Sequence, residues 1–342
     1  MKKTYQTLLC LFVLLFILDP THILARELKA ADDQDIQIGV VYYKFDDVYI
    51  TSVRVAFERL VAEYDNVEIF TYNSQNKQDL QLEQIDRLIQ LEVDVLLVNI
   101  VDTEAARTAA DMAEAAKIPI IFFNREPDLA TLQQAPQAFF VGTTASEAGV
   151  IQGQLVANLW LSNRQYDRNQ NGLLDYVMLV GDTNNPEAEA RTEFAISSVQ
   201  EAGIEVNLIG QEVASWEYDQ AYVAMSQWLA RESHNIEVVF SNNDSMAAGA
   251  IAALQDEGFN LSDTSDNWIP VVGVDATEEA IDLISREIMA GTVKQDDIAM
   301  AEAIFSLAYN VGHDRDLLYQ TDYQFDDSGV AIRIPYQAFI VE

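Results

Sequence analysis

Cysteine is all but missing from this chain: Cys10 is the single one in 342 residues. It lies inside an apolar run near the start, so a chain trimmed behind that run has no thiol for a disulfide, a metal or a nucleophile. Histidine is almost as scarce. His22, His234 and His313 are scattered, and zinc catalysis and histidine-based triads therefore lack their parts. Basic residues are few: 20 Lys and Arg stand against 55 Asp and Glu, a formal net charge of −35. Such a surface repels nucleic acid and anionic lipid and argues against an anionic ligand. The excess is read as a solubility feature. Dinucleotide-binding G-x-G-x-x-G, Walker and G-x-S-x-G patterns are also absent. Paired carboxylates can hydrolyse glycosides, but among 55 acids no pair is singled out. An enzyme is not expected.

What is present begins with an export signal. Lys2 and Lys3 precede eleven apolar residues at 8–18, and Ala25 and Ala30 offer cleavage points, so the signal is expected to cover 1–30. The run is shorter than the roughly 20 residues of a membrane-crossing helix; an uncleaved anchor is the alternative. Residues 1–30 hold four basic and two acidic side chains, and their removal leaves −37. The expectation is a disulfide-free protein of a periplasmic space, held together by its core.

Runs rich in Val, Ile and Phe then alternate with helical patterns. Strands are expected over 36–43, 67–72, 93–100 and 118–123, the last extended by 138–141. Helices are expected over 49–63, 79–91, 103–116 and 146–161. The second half repeats the alternation, with strands at 176–180, 205–209, 236–240, 269–274 and 292–293 and a final strand pair near 330–341. Its helices fall at 187–202, 219–231, 245–257, 278–287 and 298–310. Continuous apolar strands suit parallel sheets covered on both faces, and the alternation suits two doubly wound α/β domains. Strand counting splits them near 117–119.

In such sheets ligands sit beyond the carboxyl ends of the strands. Those ends carry Asp46, Asp47 and Tyr49, then Asn99 and Asp102, then Asn124, Arg125 and Glu126. Later ones carry Asp182 to Asn185, Asn242 to Asp244, and Asp275. Each alone is a natural helix cap. As a set, planar amides, carboxylates and guanidinium groups beside aromatics suit paired hydroxyls and the C–H face of a sugar ring.

The stretch DRNQNGLLD, 167–175, places Asp167, Asn169, Asn171 and Asp175 at the oxygen-ligand positions of an EF-hand loop. It adds the Leu173 carbonyl at the seventh position and Gly172 at the sixth. The twelfth position, normally Glu, is Met178. From spacing alone, a polar turn between helix and strand accounts for it equally well.

Ten motifs together resemble one family, the periplasmic galactose/glucose-binding proteins that serve ABC sugar importers and chemoreceptors. They are YKFDD (43–47), NSQN (73–76), VNIVD (98–102), FFNREP (122–127), FVGT (140–143), GVIQGQL (149–155), NPEAEART (185–192), IEVVFSNNDSMAAGA (236–250), VVGVDA (271–276) and AGTV (290–293). The resemblance covers essentially the whole chain behind the signal. It implies two doubly wound parallel-sheet lobes joined by a three-segment hinge, 31–118 with 296–325 and 119–295 with 326–342. It implies a monomer that closes on D-glucose or D-galactose and delivers it to an ABC permease, with a chemoreceptor as a further partner. The alternative is a sensor for a membrane receptor with a different pentose or hexose.

By the same resemblance, Asp47, Asn99, Arg191, Asn243 and Asp275 hydrogen-bond the sugar, with Trp216 and Tyr49 on its two faces. Asn185, Glu187 and Gln295 join them, standing where the family has His, Asp and Asn. These three departures bear on affinity and epimer preference. For the loop, the resemblance implies structural calcium, with Glu237 supplying the distant carboxylate to Asp167, Asn169, Asn171, Leu173 and Asp175. Asn171 and Asp175 stand where the family usually has Asp and Gln.

Overall fold

The structure, a computed structural model, describes residues 35–162, 166–261 and 267–340. The expected export signal, 1–30, lies outside them. No helix of the described residues is long and apolar enough to cross a membrane.

Twelve strands form two six-stranded sheets. The first contains β1 (Ile36–Tyr42), β2 (Val67–Asn73), β3 (Val95–Val98), β4 (Ile120–Phe123), β5 (Ala138–Gly142) and β11 (Ala331–Arg333), in the order β2-β1-β3-β4-β5-β11, all parallel. The second contains β6 (Leu174–Val180), β7 (Val206–Val213), β8 (Val238–Ser241), β9 (Val271–Asp275), β10 (Gly291–Lys294) and β12 (Gln337–Phe339). Its order is β7-β6-β8-β9-β10-β12, the same winding, with only β12 antiparallel. In both sheets the order reverses at the first strand, which leaves a crevice at the carboxyl ends of β1 and β3 in one and of β6 and β8 in the other.

Helices cover both faces of each sheet, which is why the central strands are apolar throughout. On the first sheet, α1 (Val48–Val61) and α10 (Asp297–Gly312) form one layer. The opposite layer is α2 (Gln78–Gln90), α3 (Ala106–Ala116) and α4 (Leu129–Gln134). On the second, α5 (Ala145–Ser162) and α6 (Pro186–Glu201) face α7 (Tyr218–Glu232), α8 (Asp244–Asp256) and α9 (Glu278–Ser285) across the strands. α1 shows the sequence logic: Tyr49, Ile50, Val53, Phe57 and Val61 recur at helical spacing and are buried.

Sheet membership moves two of the three expected crossings. β4 pairs with β3 (Leu96 opposite Ile120) and β5 with β4, so 120–142 belongs to the first lobe, not the second. The chain crosses at 143–144, again at 295–296, and last at 334–336, because β11 pairs with β5. The expected final strand pair is thereby divided: β11 lies in the first sheet and β12 in the second. A run of β-α units looks the same on either side of a crossing, and 143–144, Thr-Thr, carries no Gly or Pro to mark it.

α5 and α6 approach closely because glycines let them. A Cβ on Gly153 would lie 2.3 Å from the Ala195 carbonyl oxygen and 2.7 Å from the Ser198 Cβ. Gly153→Ala is therefore expected to destabilise the protein by about 1–3 kcal/mol, read as a lower urea midpoint; an unchanged midpoint would mean that the helices separate without cost.

Candidate functional site

The carboxyl ends of the two sheets face one another across a cleft. From the first lobe it is lined by Tyr43, Asp47, Tyr49, Ile50, Asn124 and Arg125; from the second by Asn185, Glu187, Arg191, Trp216, Asn243 and Asp275, with Gln295 at a crossing. Water centres can occupy about 30 Å³ of it. A sphere with that much room for water centres has roughly 150 Å³ of molecular space once the water radius is added back, about the size of one six-carbon sugar.

Several of these residues do two jobs. Asp47 Oδ1 accepts from Ile50 N (2.8 Å) and caps α1, while its Oδ2 takes the Tyr43 hydroxyl. Asn185 Oδ1 accepts from Glu187 N and Ala188 N (3.0 and 3.1 Å) and caps α6, so its amide nitrogen is what it can offer a ligand. Asn243 Oδ1 caps α8 through Met246 N (2.9 Å). Capping does not remove these residues from the cleft, which all three line, although the second atom of Asp47 also takes the Tyr43 hydroxyl and that of Asn243 donates to the Trp216 carbonyl (3.4 Å).

Arg191 is the hub, at 2% exposure. Its Nη1 donates to the Asn242 carbonyl (2.8 Å) and lies 4.0 Å from Asp275 Oδ1. Its Nη2 donates to Glu187 Oε2 (2.9 Å), Gln295 Oε1 (2.8 Å) and the Tyr336 hydroxyl (2.8 Å). Burial alone would weaken the cation; Tyr336, Glu187 and Asp275 outweigh it and hold the proton more firmly. Burial raises Glu187 despite Arg191, and holds Asp275 well above the usual carboxylate range. Behind Asp275, Asp244 accepts from Thr292 Oγ1 (2.6 Å) and Thr277 N (2.9 Å), and burial pushes it up to about 7.

Four buried polar atoms of cleft-lining residues have no partner among the described residues: Tyr49 Oη, Arg191 Nε, Trp216 Nε1 and Gln295 Nε2. Buried donors are normally satisfied, and leaving one unpaired costs about 1–3 kcal/mol. Their concentration in one cavity points to a polar occupant. The backbone beneath is strained in the same place, with φ of 63° at Asn124, 67° at Trp216 and 126° at Asp275.

Of the ten expected contacts, nine line this cleft; Asn99 does not. It is fully buried beneath it, with Oδ1 accepting from Tyr43 N (3.4 Å) and Nδ2 donating to Phe123 O (3.1 Å) and Asn124 Oδ1 (3.2 Å). Its capacity is spent positioning Tyr43 and Asn124, which line the cleft in its stead. Arg125 was legible only as a polar residue after a strand. Tyr336 and Thr143, whose hydroxyls pair at 2.8 Å and reach Glu187 (Thr143 Oγ1 to Oε1, 3.1 Å), carried no chemical signal of their own.

The loop at 167–175 folds onto Glu237. Gly172 has φ of 81°, as its place in the turn requires. Glu237 Oε1 accepts from Arg168 N (2.6 Å) and Oε2 from Asp175 N (3.0 Å). The side-chain nitrogens of Asn169 and Asn171 donate to Asp175 Oδ2 at 2.8 and 2.7 Å, and Asn207 donates to its Oδ1. Leu173 enters through its N–H, which donates to Asn171 Oδ1 (2.7 Å). Among the described residues, no three acidic, Cys or His side chains converge to hold a metal. The expected trio Asp167, Asp175 and Glu237 is thus linked by loop amides rather than closed into a cage. The donor set is nevertheless all oxygen, suited to a hard cation, and Asp167 Oδ1 is buried without a partner among the described residues.

A model of the periplasmic binding protein domain matches residues 38–314. The chain belongs to the periplasmic binding protein family. Members are the substrate-binding proteins of transporters, not enzymes. This periplasmic binding protein is 34% identical over 303 residues, 88% of either chain, to the D-galactose/methyl-galactoside binding periplasmic protein of Haemophilus influenzae. It is also similar to an ABC transporter solute binding protein from Bacillus halodurans solved with bound myo-inositol, at 26% identity and a TM-score of 0.74 over 90% of this chain and 95% of that one. A solute binding protein from Actinobacillus succinogenes shares the fold at 19% identity and a TM-score of 0.75, over 90% of this chain and 98% of that one.

The buried acids give stability a pH dependence of definite sign. Between 3.8, the ordinary value for Asp, and about 7, folded Asp244 holds a proton that the unfolded chain has released. Stability conferred this way is present at low pH and lost as pH rises through that window. Denaturant melts of the ligand-free protein are expected to show higher stability at pH 5 than at pH 7.5, with a shallower decline in Asp244→Asn. Parallel declines in the two proteins would remove Asp244 from the account.

Proposed function

We propose that this periplasmic binding protein captures one uncharged monosaccharide in the cleft and presents it, closed, to an ABC-type permease. The observation that carries the reading is the group of four unpartnered buried atoms, Tyr49 Oη, Arg191 Nε, Trp216 Nε1 and Gln295 Nε2, beside the carboxylates of Asp47, Glu187 and Asp275. Donors and acceptors interleaved around an aromatic pair suit hydroxyl groups, each of which both donates and accepts. An anion would meet three carboxyl groups, and Arg191 already gives its Nη1 to the Asn242 carbonyl and its Nη2 to Glu187, Gln295 and Tyr336. D-glucose and D-galactose are the first candidates, both supported by the motif resemblance and D-galactose also by the Haemophilus influenzae relative, a D-galactose/methyl-galactoside binding protein. The neutral ring polyol in the Bacillus halodurans relative is of the same chemical class.

Capture works by completing two half-sites. Tyr49, Asp47 and Asn124 belong to one lobe and Arg191, Trp216 and Asp275 to the other, so the full set of bonds forms only when the lobes close. A ligand shifts the open–closed equilibrium by its extra contacts in the closed form. Calorimetry is expected to give saturable heat with one of the two sugars at micromolar to millimolar concentration, weakened at least tenfold in Trp216→Ala. Absence of heat with both sugars would remove them as ligands.

The loop 167–175 with Glu237 is proposed to take a structural calcium ion. Its support is the all-oxygen donor set and the unpartnered Asp167 Oδ1. Binding would require the Asn169 and Asn171 amides to turn their oxygens inward. Calcium is expected to raise the melting temperature by several degrees over the chelator-treated protein; coincident melts up to millimolar calcium would rule the ion out.

A further inference from the structure

Outside the ligand cleft lies a second, larger chamber. It is lined by Asn76, Val101, Asp102, Thr103 and Arg125 from the first lobe and by 182–185 and Ser215 from the second, and water centres can occupy about 410 Å³ of it. The lining is largely polar and offers no apolar floor. Arg125 and Asn185 line both chambers, so the two are contiguous and these side chains stand between them.

Arg125 is the larger of the two and is held on three sides. Its Nη1 donates to the Val101 carbonyl (2.8 Å), its Nη2 to Asp182 Oδ2 across the lobe boundary (2.9 Å), and its guanidinium lies 3.8 Å from the centre of the Tyr43 ring. It is 7% exposed. A planar group fixed at both terminal nitrogens and stacked on an aromatic face is a rigid partition. The inner chamber has room for one ring, whereas the outer one has room for at least another.

We propose that Arg125 sets the length of the ligand: clamped between Val101, Asp182 and Tyr43, it walls a one-ring chamber off from an outer polar chamber that would otherwise take the second ring of a disaccharide. The proposal rests on the monosaccharide reading above and adds a specificity-determining residue to it. A second inter-lobe ion pair, Lys44 with Glu217, provides the control, because Lys44 lines neither chamber.

The test is calorimetric titration of the wild type, Arg125→Ala and Lys44→Met with D-glucose and D-galactose and with maltose, cellobiose, lactose and melibiose. The wild type is expected to prefer the monosaccharide at least 100-fold over every disaccharide. Arg125→Ala is expected to narrow that ratio at least tenfold for one linkage. Lys44→Met weakens both classes together and leaves the ratio unchanged. Wild-type binding of a disaccharide as tight as that of the monosaccharide overturns the wall. So does an Arg125→Ala protein that binds the monosaccharide with undiminished discrimination. Should the alanine variant bind nothing, Arg125→Gln is held to the same criterion. Loss of all binding in both variants also overturns the proposal, since it makes Arg125 a contact for the first ring. No heat with any monosaccharide in the wild type is a separate outcome, the failure of the sugar reading itself.

Discussion

The buried guanidinium of Arg191 is the interaction on which the binding half of this molecule depends. Glu187, Asp244 and Asp275 are all nearly out of water, and three buried acids without a cation would be held together only by protonation. Arg191 allows part of that charge to persist. Removing one partner of such a cluster typically costs about 3–5 kcal/mol, so its place is constrained by folding as much as by ligand. Its partners are also distributed in a telling way. Gln295 sits at the second crossing and Tyr336 at the third, while Thr143, at the first, pairs with Tyr336 and donates to Glu187. All three hinge strands therefore end on one hydrogen-bonded network at the base of the ligand cleft. A ligand that bonds Arg191 or Gln295 touches the hinge directly, and no long relay is required to link occupancy to closure.

The proposed closure has an electrostatic opponent. Residues 35–142 with 296–333 carry 10 basic and 26 acidic side chains, and 143–295 with 334–342 carry 6 and 25. In that closure two strongly negative bodies would approach one another. Where they meet at the cleft mouth, the scarce cations are on the first lobe, Lys44 and Arg125, and each meets an acid of the second, Glu217 and Asp182. Exposed ion pairs contribute little by themselves, about 0–1 kcal/mol. Here their effect is local: they replace like-charge contact at the rim with opposite-charge contact. Bulk salt would screen the long-range repulsion within roughly 8–10 Å while leaving the shielded Arg125 side chain less affected.

How far the sequence exposes this arrangement depends on what kind of information each feature carries. The α/β class and the identity of the strands follow from apolar runs bounded by polar ends, which the sheets demand because both faces are covered. The lobe borders do not follow, because which sheet a strand joins is decided by pairing partners far away; β4 and β5 read like any other strands of the chain. Some cleft residues were legible because the carboxyl ends of parallel strands carry the ligand, and Asp47, Asn185, Asn243 and Asp275 all stand there; Glu187, Arg191, Trp216 and Gln295 entered only through the family resemblance. Asn99 stands there too, yet its amide is consumed by Tyr43, Phe123 and Asn124, one layer down. Position along a strand predicts the end of the sheet a residue occupies, and depth within that end is settled only by packing. Tyr336 and Thr143 were silent for the opposite reason: their hydroxyls matter because distant crossings converge, and nothing local announces it.

The strained positions explain how the second lobe's half-site would stay fixed through the proposed closure. Trp216 adopts φ of 67° next to Ser215 at 48°, and its indole packs so closely on Gly181 that a Cβ there would lie 2.1 Å from the ring. Asp275 leaves β9 at φ of 126° and Ala276 follows at 59°, a turn held from below by Asp244 through Thr277 N. Each left-handed residue costs of order 1–3 kcal/mol unless its surroundings over-determine it. These surroundings lie within one lobe in both cases: Gly181 and Trp216 follow β6 and β7, and Asp244 and Thr277 follow β8 and β9. The strain is therefore carried by the folded second lobe whether the cleft is open or shut. Closure then has to supply only the hinge rotation and the inter-lobe contacts, and a ligand's binding free energy is not spent on shaping the aromatic wall or the carboxylate that receive it.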